Sequence, residues 1–441
     1  MTHDTLLVHG GQPLRGEIRV RGAKNLVPKA MVAALLGHTA SRIQNVPELR
    51  DVEIVRSLLS LHGVGVTTGE RDDELRIDSS RVQQADPGKA VAHAGSSRIP
   101  ILFSGPLLHR LGQAFIPGLG GCEIGGRALD FHFQVLRDFG AEIEPRPDGV
   151  HLRAPQRLRG IDIRLPYPSV GATEQVLLTA ALAEGDTELR NAAIEPEILD
   201  LICVLQKMGA IITLASDRTI VISGVDSLDG YIHRALPDRL ETASWACAAL
   251  ATKGDIYVRG ASQTEMTAFL YTYRRVGGLF DVDEDGIRFQ HPGRPLSAIS
   301  LETDVHPGFQ TDWQQPLLTV LALAEGTSRI HETVYESRLG LTAGLKKMGT
   351  DVQLSEECLG ARPCRFEGQN HQHSAVISGS PRLQAGDLKI PDLRGGFAYL
   401  IAALAAKGTS RLDGISLIDR GYERFLQKLQ DLGADVQLIT S

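Results

Sequence analysis

Cysteine is scarce in this chain of 441 residues. There are five, an odd number, scattered from Cys122 to Cys364, which fits reduced thiols and not a disulfide framework. No apolar run approaches the roughly 20 residues that a membrane-spanning helix needs. The opening Met1-Thr2-His3-Asp4 lacks the basic flank and apolar stretch of a secretion signal, so the expectation is a cytoplasmic protein. Positive charge is not in excess either: the formal net charge is -7, which argues against a general nucleic-acid binder and leaves room for a local cationic pocket for an anionic small molecule. No P-loop, dinucleotide fingerprint or Ser-His-Asp motif stands out. With 42% hydrophobic and 22% charged residues, the composition is that of a globular protein long enough for two sizeable domains.

What the chain does have is repetition. A signal of helix end, Gly and new strand recurs as His62-Gly63-Val64, Phe139-Gly140-Ala141, Met208-Gly209-Ala210, Val276-Gly277-Gly278, Met348-Gly349-Thr350 and Leu432-Gly433-Ala434. Gly just past a helical pattern is the usual left-handed C-cap. Ala/Leu-rich runs open the units, among them 30–36, 176–182, 317–323 and 399–405. Being apolar on all sides, they predict buried helices, whereas the second helix of each unit carries charge on one face. Six units divide into three and three, with the seam near Tyr231 to Asp238. The fold class expected is α/β: two domains of three βαβαββ-like units each, with buried central helices and sheets outside. The boundaries are 22–234 for the first domain and 1–21 plus 235–441 for the second. A solenoid of stacked units is the alternative.

Candidate chemistry lies at the loops and helix starts. Pro117 to Arg127 holds five glycines around Cys122, with Arg127 following; such a loop presents its thiol, and a nearby guanidinium favours the thiolate and can hold a phosphate or carboxylate. Lys24 and Asn25 precede the first buried helix, where anions bind readily. Ser96-Ser97-Arg98 and Pro168 to Thr173 occupy corresponding places. Asp312 precedes or opens another buried helix and reads as an N-cap or first-turn acid. Arg394 precedes the last buried helix, and Ile418 to Glu423, with Arg420, reads as the opening of the final charged helix. A carboxylate and several arginines at equivalent places suit a site that binds an anion and removes a proton. Cys358, Cys364, His371 and His373 invite a metal check, but the spacing is not the usual C-x₂₋₄-C of zinc sites; an exposed hairpin insertion is expected, and no metal.

Taken together, Gly22-Ala23-Lys24-Asn25, Gly120-Gly121-Cys122 through Arg127, Ser169 to Thr173, Asn191 to Glu197, Leu236 to Arg239, Thr311-Asp312, Asp392-Leu393-Arg394 and Asp419 to Glu423 resemble the enolpyruvyl transferases, from Gly11 to the C-terminus. The family's fold is two inside-out α/β barrels. The resemblance points to the branch whose substrates are phosphoenolpyruvate and UDP-N-acetylglucosamine, which opens peptidoglycan synthesis and needs no metal or organic cofactor. It implies that Lys24, Arg98, Arg127, Arg394 and Arg420 surround phosphoenolpyruvate, that Cys122 helps protonate the enolpyruvyl methylene and is the thiol alkylated by fosfomycin, and that Asp312 takes the proton of the sugar 3-hydroxyl. Asn25, Asp130, His132, Ser169, Val170, Gly171 and Glu336 match positions near the nucleotide-sugar. Ala128, where the family usually has Pro, the Ser96-Ser97 pair and the Cys358 to His373 segment depart from the pattern. Another uridine nucleotide as acceptor, or a catalytically silent nucleotide-sugar-binding paralogue, stays open.

Overall fold

The computed structural model describes residues 4–94, 97–118, 130–361, 364–380 and 382–440. It divides into two compact units. One takes Met1–Val20 and Pro237–Ser441; the other takes Arg21–Cys122 and Ala128–Leu236. Among the described residues there are six small sheets, five of four strands and one of three, so each unit holds three.

The sheets repeat one plan. In the second unit, Asp186–Arg190 follows the buried helix Val170–Ala180 and pairs parallel with Asp162–Arg164, the strand before that helix. Its other edge pairs antiparallel with Ile220–Ser223, which pairs in turn with Ile211–Leu214. A parallel pair requires a crossover, and the buried helix supplies it. Where the chain passes from one unit to the other, the strands ahead of the helices exchange partners. Arg15–Arg19 pairs with Asp255–Arg259, and Ile232–Arg234 pairs with Ser41–Gln44. The last sheet is completed from the start of the chain: Asp4–Gly10 lies antiparallel between Gly408–Asp413 and Asp435–Thr440.

The central helices behave as their composition dictates. Every residue of Arg239–Ala251 is buried. In Leu393–Ala405 all but the last are buried, and with Thr311–Leu321 these helices pack against one another at the centre of the first unit. In the second unit Val27–Ala33, Ser104–Leu111 and Val170–Ala180, with the 3₁₀ turn Ile99–Phe103, form the corresponding centre. The six glycines read as C-caps all adopt the left-handed conformation, with φ from 78° to 109°, which L side chains resist. A buried ion pair ties the final helix Phe425–Asp431 inward: Lys428 Nζ donates to Glu241 Oε1 at 2.7 Å, the same oxygen that accepts from Trp245 Nε1 at 3.0 Å. None of the described helices is long and apolar enough to cross a membrane.

Candidate active site

In the unit that spans Arg21 to Leu236, the glycine-flanked start of the first buried helix sets Lys24 beside Asp51, Nζ to Oδ2 2.8 Å, with both side chains largely shielded. Asp51 comes from the first turn of the charged helix Arg50–Leu61, a place where a carboxylate is favoured by the helix dipole. One helical turn after Asn25, Lys29 Nζ donates to the Asn25 carbonyl at 2.7 Å and lies 3.5 Å from Glu174. Glu174 is buried, and burial pushes its carboxyl up against the opposing pull of Lys29.

The helix Val170–Ala180 starts because Ser169, in extended conformation, caps it: its side chain accepts from the Ala172 N–H at 3.3 Å. Val170 and Gly171 form its first turn. Gly171 packs closely on His132: a Cβ there would stand 3.0 Å from His132 Nε2, tighter than most such contacts. His132 Nδ1 lies 3.3 Å from Gln175 Oε1, and burial, aided by the charge of Arg98, holds its pKa down to about 4. Arg98 is thereby close to His132, on the residue that precedes the turn Ile99–Phe103. Ser169, Gly171, His132 and Arg98 thus share one neighbourhood. Asp130 begins the helix Asp130–Asp138, but its side chain lies outside the described residues. So do Cys122, Arg127 and Ala128 entirely.

In the other unit the helix starts differ in an instructive way. Asp238 caps Arg239–Ala251, accepting from the N–H groups of Leu240 and Glu241, and Asp392 caps Leu393–Ala405, accepting from Arg394 and Gly395. Asp312 is not such a cap. Gln310 occupies that place without a side-chain bond, and Asp312 is the second residue of Thr311–Leu321. Its carboxylate instead accepts from Arg338 Nη2. Arg338 is buried in the turn Arg338–Leu341 and feels Asp312 before Asp392 and Glu332 among its charged neighbours. Glu332 is itself buried, which pushes its carboxyl up, and it accepts from Thr311 Oγ1 at 2.9 Å and from the Val334 and Tyr335 N–H groups.

Arg394 is buried and stands over the Tyr422 ring at 5.2 Å. Tyr422 stacks on Phe397, centroids 4.1 Å apart, and its hydroxyl is 2.8 Å from Ser244 Oγ. Burial is outweighed by Tyr422, Asp312 and Asp238, so the guanidinium is held charged, while its Nη1 has no hydrogen-bond partner among the described residues. The same holds for both amide atoms of Gln314, on the first turns of the Asp312 helix. Arg420 is buried at the end of the turn Ile415–Arg420. This corrects the sequence reading: the stretch 418–423 does not open the charged helix, which begins at Phe425 after Arg424 takes a left-handed conformation. Glu336 is half-buried, 3.8 Å from Arg365.

Sequence reasoning missed Arg338, Asp51 and Glu174. Asp51 and Glu174 were hidden as ordinary helix residues. Arg338 had a signal of a kind, two residues beyond Glu336, but only the fold turns it onto Asp312.

Comparison with known proteins completes these observations. Residues 8–429 match the family model described as EPSP synthase (3-phosphoshikimate 1-carboxyvinyltransferase). A UDP-N-acetylglucosamine 1-carboxyvinyltransferase of Protochlamydia amoebophila is 46% identical over 99% of this chain and 94% of its own length. The protein of that name from Chlamydia pneumoniae is 44% identical over 98% of this chain and 94% of its own. UDP-N-acetylglucosamine 1-carboxyvinyltransferase 1 of Staphylococcus aureus (strain N315) is 36% identical over 99% of both. Among solved structures, the enolpyruvyl transferase NikO from Streptomyces tendae superposes with a TM-score of 0.87 at 24% identity over the full length of both chains. An EPSP synthase from Acinetobacter baumannii superposes with 0.77 at 18%, over 99% of this chain and all of its own. These two bear on the fold alone.

Proposed function

The chain belongs to the EPSP synthase family of enolpyruvyl transferases, and from that premise we propose that it transfers the enolpyruvyl group of phosphoenolpyruvate to the 3-hydroxyl of UDP-N-acetylglucosamine, releasing phosphate. The full-length identity to proteins bearing that activity in their name carries the reading.

Within this reading the residues take the roles that the family resemblance implies. Asp312, whose carboxylate is not used to cap its helix, takes the proton of the acceptor hydroxyl as that oxygen bonds to C2 of phosphoenolpyruvate. Cys122 delivers a proton to the C3 methylene, and the product of this addition is a tetrahedral phosphate ketal. Loss of a proton from C3 and departure of phosphate from C2 restore the double bond as the 3-O-enolpyruvyl ether. Lys24, Arg98, Arg127, Arg394 and Arg420 neutralise the phosphate and carboxylate. The open Nη1 of Arg394 is a buried charged donor that an anionic oxygen would satisfy. Asn25, Asp130, His132, Ser169, Val170, Gly171 and Glu336 bind the nucleotide-sugar. His132, neutral at pH 7, serves there as a hydrogen-bonding group and not as a cation.

The test is phosphate release measured with phosphoenolpyruvate and a panel of acceptors. Release dependent on UDP-N-acetylglucosamine is expected. Release only with shikimate 3-phosphate, only with another uridine nucleotide, or with no acceptor in the panel would overturn the assignment.

A further inference from the structure

Four metal-binding side chains meet in the unit that carries Asp312, and none of them is among the residues assigned to the reaction. They are His331, Cys358, Cys364 and His373, whose donor atoms all lie within 4.8 Å of one another. Cys358 Sγ is 3.8 Å from Cys364 Sγ and 3.4 Å from His373 Nε2. The sulfurs are far beyond the roughly 2.05 Å of a disulfide. Their separation is the edge of a tetrahedron about an ion with metal–sulfur bonds of about 2.3 Å.

The sequence spacing concealed this set. Two cysteines with five residues between them and a histidine beyond give three donors. The fourth comes from the neighbouring strand Thr327–His331, whose last residue pairs with Ser374 of Ser374–Ser378 and whose ring centroid lies 5.2 Å from that of His373. The segment is therefore more than the exposed hairpin the sequence suggested: His331 and His373 are buried, and so is Phe366, whose ring packs at 5.8 Å from those of His371 and His373.

The surroundings fix the imidazoles as a metal requires. His373 Nδ1 is 2.7 Å from the His371 carbonyl, so Nδ1 carries the proton and the Nε2 lone pair points to the cysteines. His331 Nδ1 is 3.2 Å from Glu302 Oε2, which leaves Nε2, buried and without a hydrogen-bond partner among the described residues. A second-layer carboxylate or carbonyl on the remote nitrogen is the usual support of ligating histidines. Glu302 also accepts from the Ala361 N–H at 2.8 Å. Gly360 makes this approach possible, since a Cβ there would fall 1.7 Å from Glu302 Oε2 and 2.1 Å from His331 Nδ1. The Phe366 N–H points at Cys364 Sγ at 3.4 Å, a donor suited to a thiolate.

We propose that His331 Nε2, Cys358 Sγ, Cys364 Sγ and His373 Nε2 form a closed tetrahedral site for one zinc ion, which staples the segment between the strands Asp351–Ser355 and Ser374–Ser378. Two thiolates and two imidazoles are the donor set zinc prefers, and four protein ligands leave no open position, so the site is structural. Binding releases the two thiol protons to solvent. Arg365, next to Cys364, lies 3.8 Å from Glu336 and donates to the Val334 carbonyl.

The experiment is metal analysis of the untagged full-length protein purified under reducing conditions, followed by removal of the metal and titration with cobalt(II) and zinc(II) salts. One zinc per chain is expected, with cobalt giving the ligand-field and thiolate charge-transfer bands of a tetrahedral site that zinc displaces. Cys358→Ser and His331→Ala should each lose the stoichiometric ion, while Cys203→Ser and Cys122→Ser should keep it. The cobalt spectrum of the unmutated chain stands even if the ligand variants fail to fold. A chain that binds neither ion at stoichiometric concentration, a Cys358–Cys364 disulfide in the reduced preparation, or cobalt bands that persist in Cys358→Ser would overturn the site. Phosphate-release activity is read separately, so the outcome is independent of the acceptor assignment.

Discussion

Arg338 donates a hydrogen bond from Nη2 to the Asp312 carboxylate, and the guanidinium that does so is buried among two further acids, Asp392 and Glu332. This pairing orients the proposed base. Replacing Arg338 with Met should therefore leave buried carboxylates without their cation and destabilise the chain by about 3 to 5 kcal/mol. Urea unfolding measures the loss, and a change within experimental error would show that the pair contributes no stability.

Asp312→Asn keeps the shape of the side chain and removes its basicity. Turnover should fall on the order of 10² to 10⁴-fold, the range for a general base, with KM for both substrates changed little. Near-normal kcat would assign proton removal to another group.

Arg394→Ala removes a buried cation that stands on Tyr422. If its open Nη1 holds substrate, kcat/KM for phosphoenolpyruvate should drop by roughly 10² to 10³, equivalent to about 3 to 4 kcal/mol, while affinity for the nucleotide-sugar is retained. Isothermal titration with each ligand separates the two; equal losses for both would remove Arg394 from the phosphoenolpyruvate site.

His132 makes stability depend on pH. Its folded pKa, held down to about 4, lies below the roughly 6.5 of an unfolded histidine, so between those values the unfolded chain binds the extra proton. Stability should rise with pH through that window and be lost as pH falls from about 6.5 towards 4, by an amount on the order of 3 kcal/mol. In His132→Gln this part of the pH dependence should vanish; identical pH profiles for both proteins would show that the imidazole titrates normally.

Cys122→Asp should retain turnover, because a carboxylic acid can donate the same proton, and should resist inactivation by fosfomycin. Inactivation at the original rate would place the alkylated thiol elsewhere.

Much of this was legible in the chain itself. Six glycines after helical patterns marked the repeat because the left-handed cap is a local demand that few other residues meet, and all six take that conformation. Runs apolar on all sides had to be buried, and Ser169 had to cap its helix, for reasons confined to neighbouring residues. The loop cysteine and the arginines were visible as residue types in a pattern. What the sequence could not express is which distant groups meet. The turn that sets Arg338 on Asp312, the packing of Gly171 against His132, and the completion of the last sheet by Asp4–Gly10 all depend on strand and helix partners far along the chain. The four donors His331, Cys358, Cys364 and His373 make the point most sharply: spacing concealed the set, and the fold that carries His331 from an upstream strand to the other three, all donor atoms within 4.8 Å of one another, assembled it, because chain folding and not linear distance decides which side chains meet.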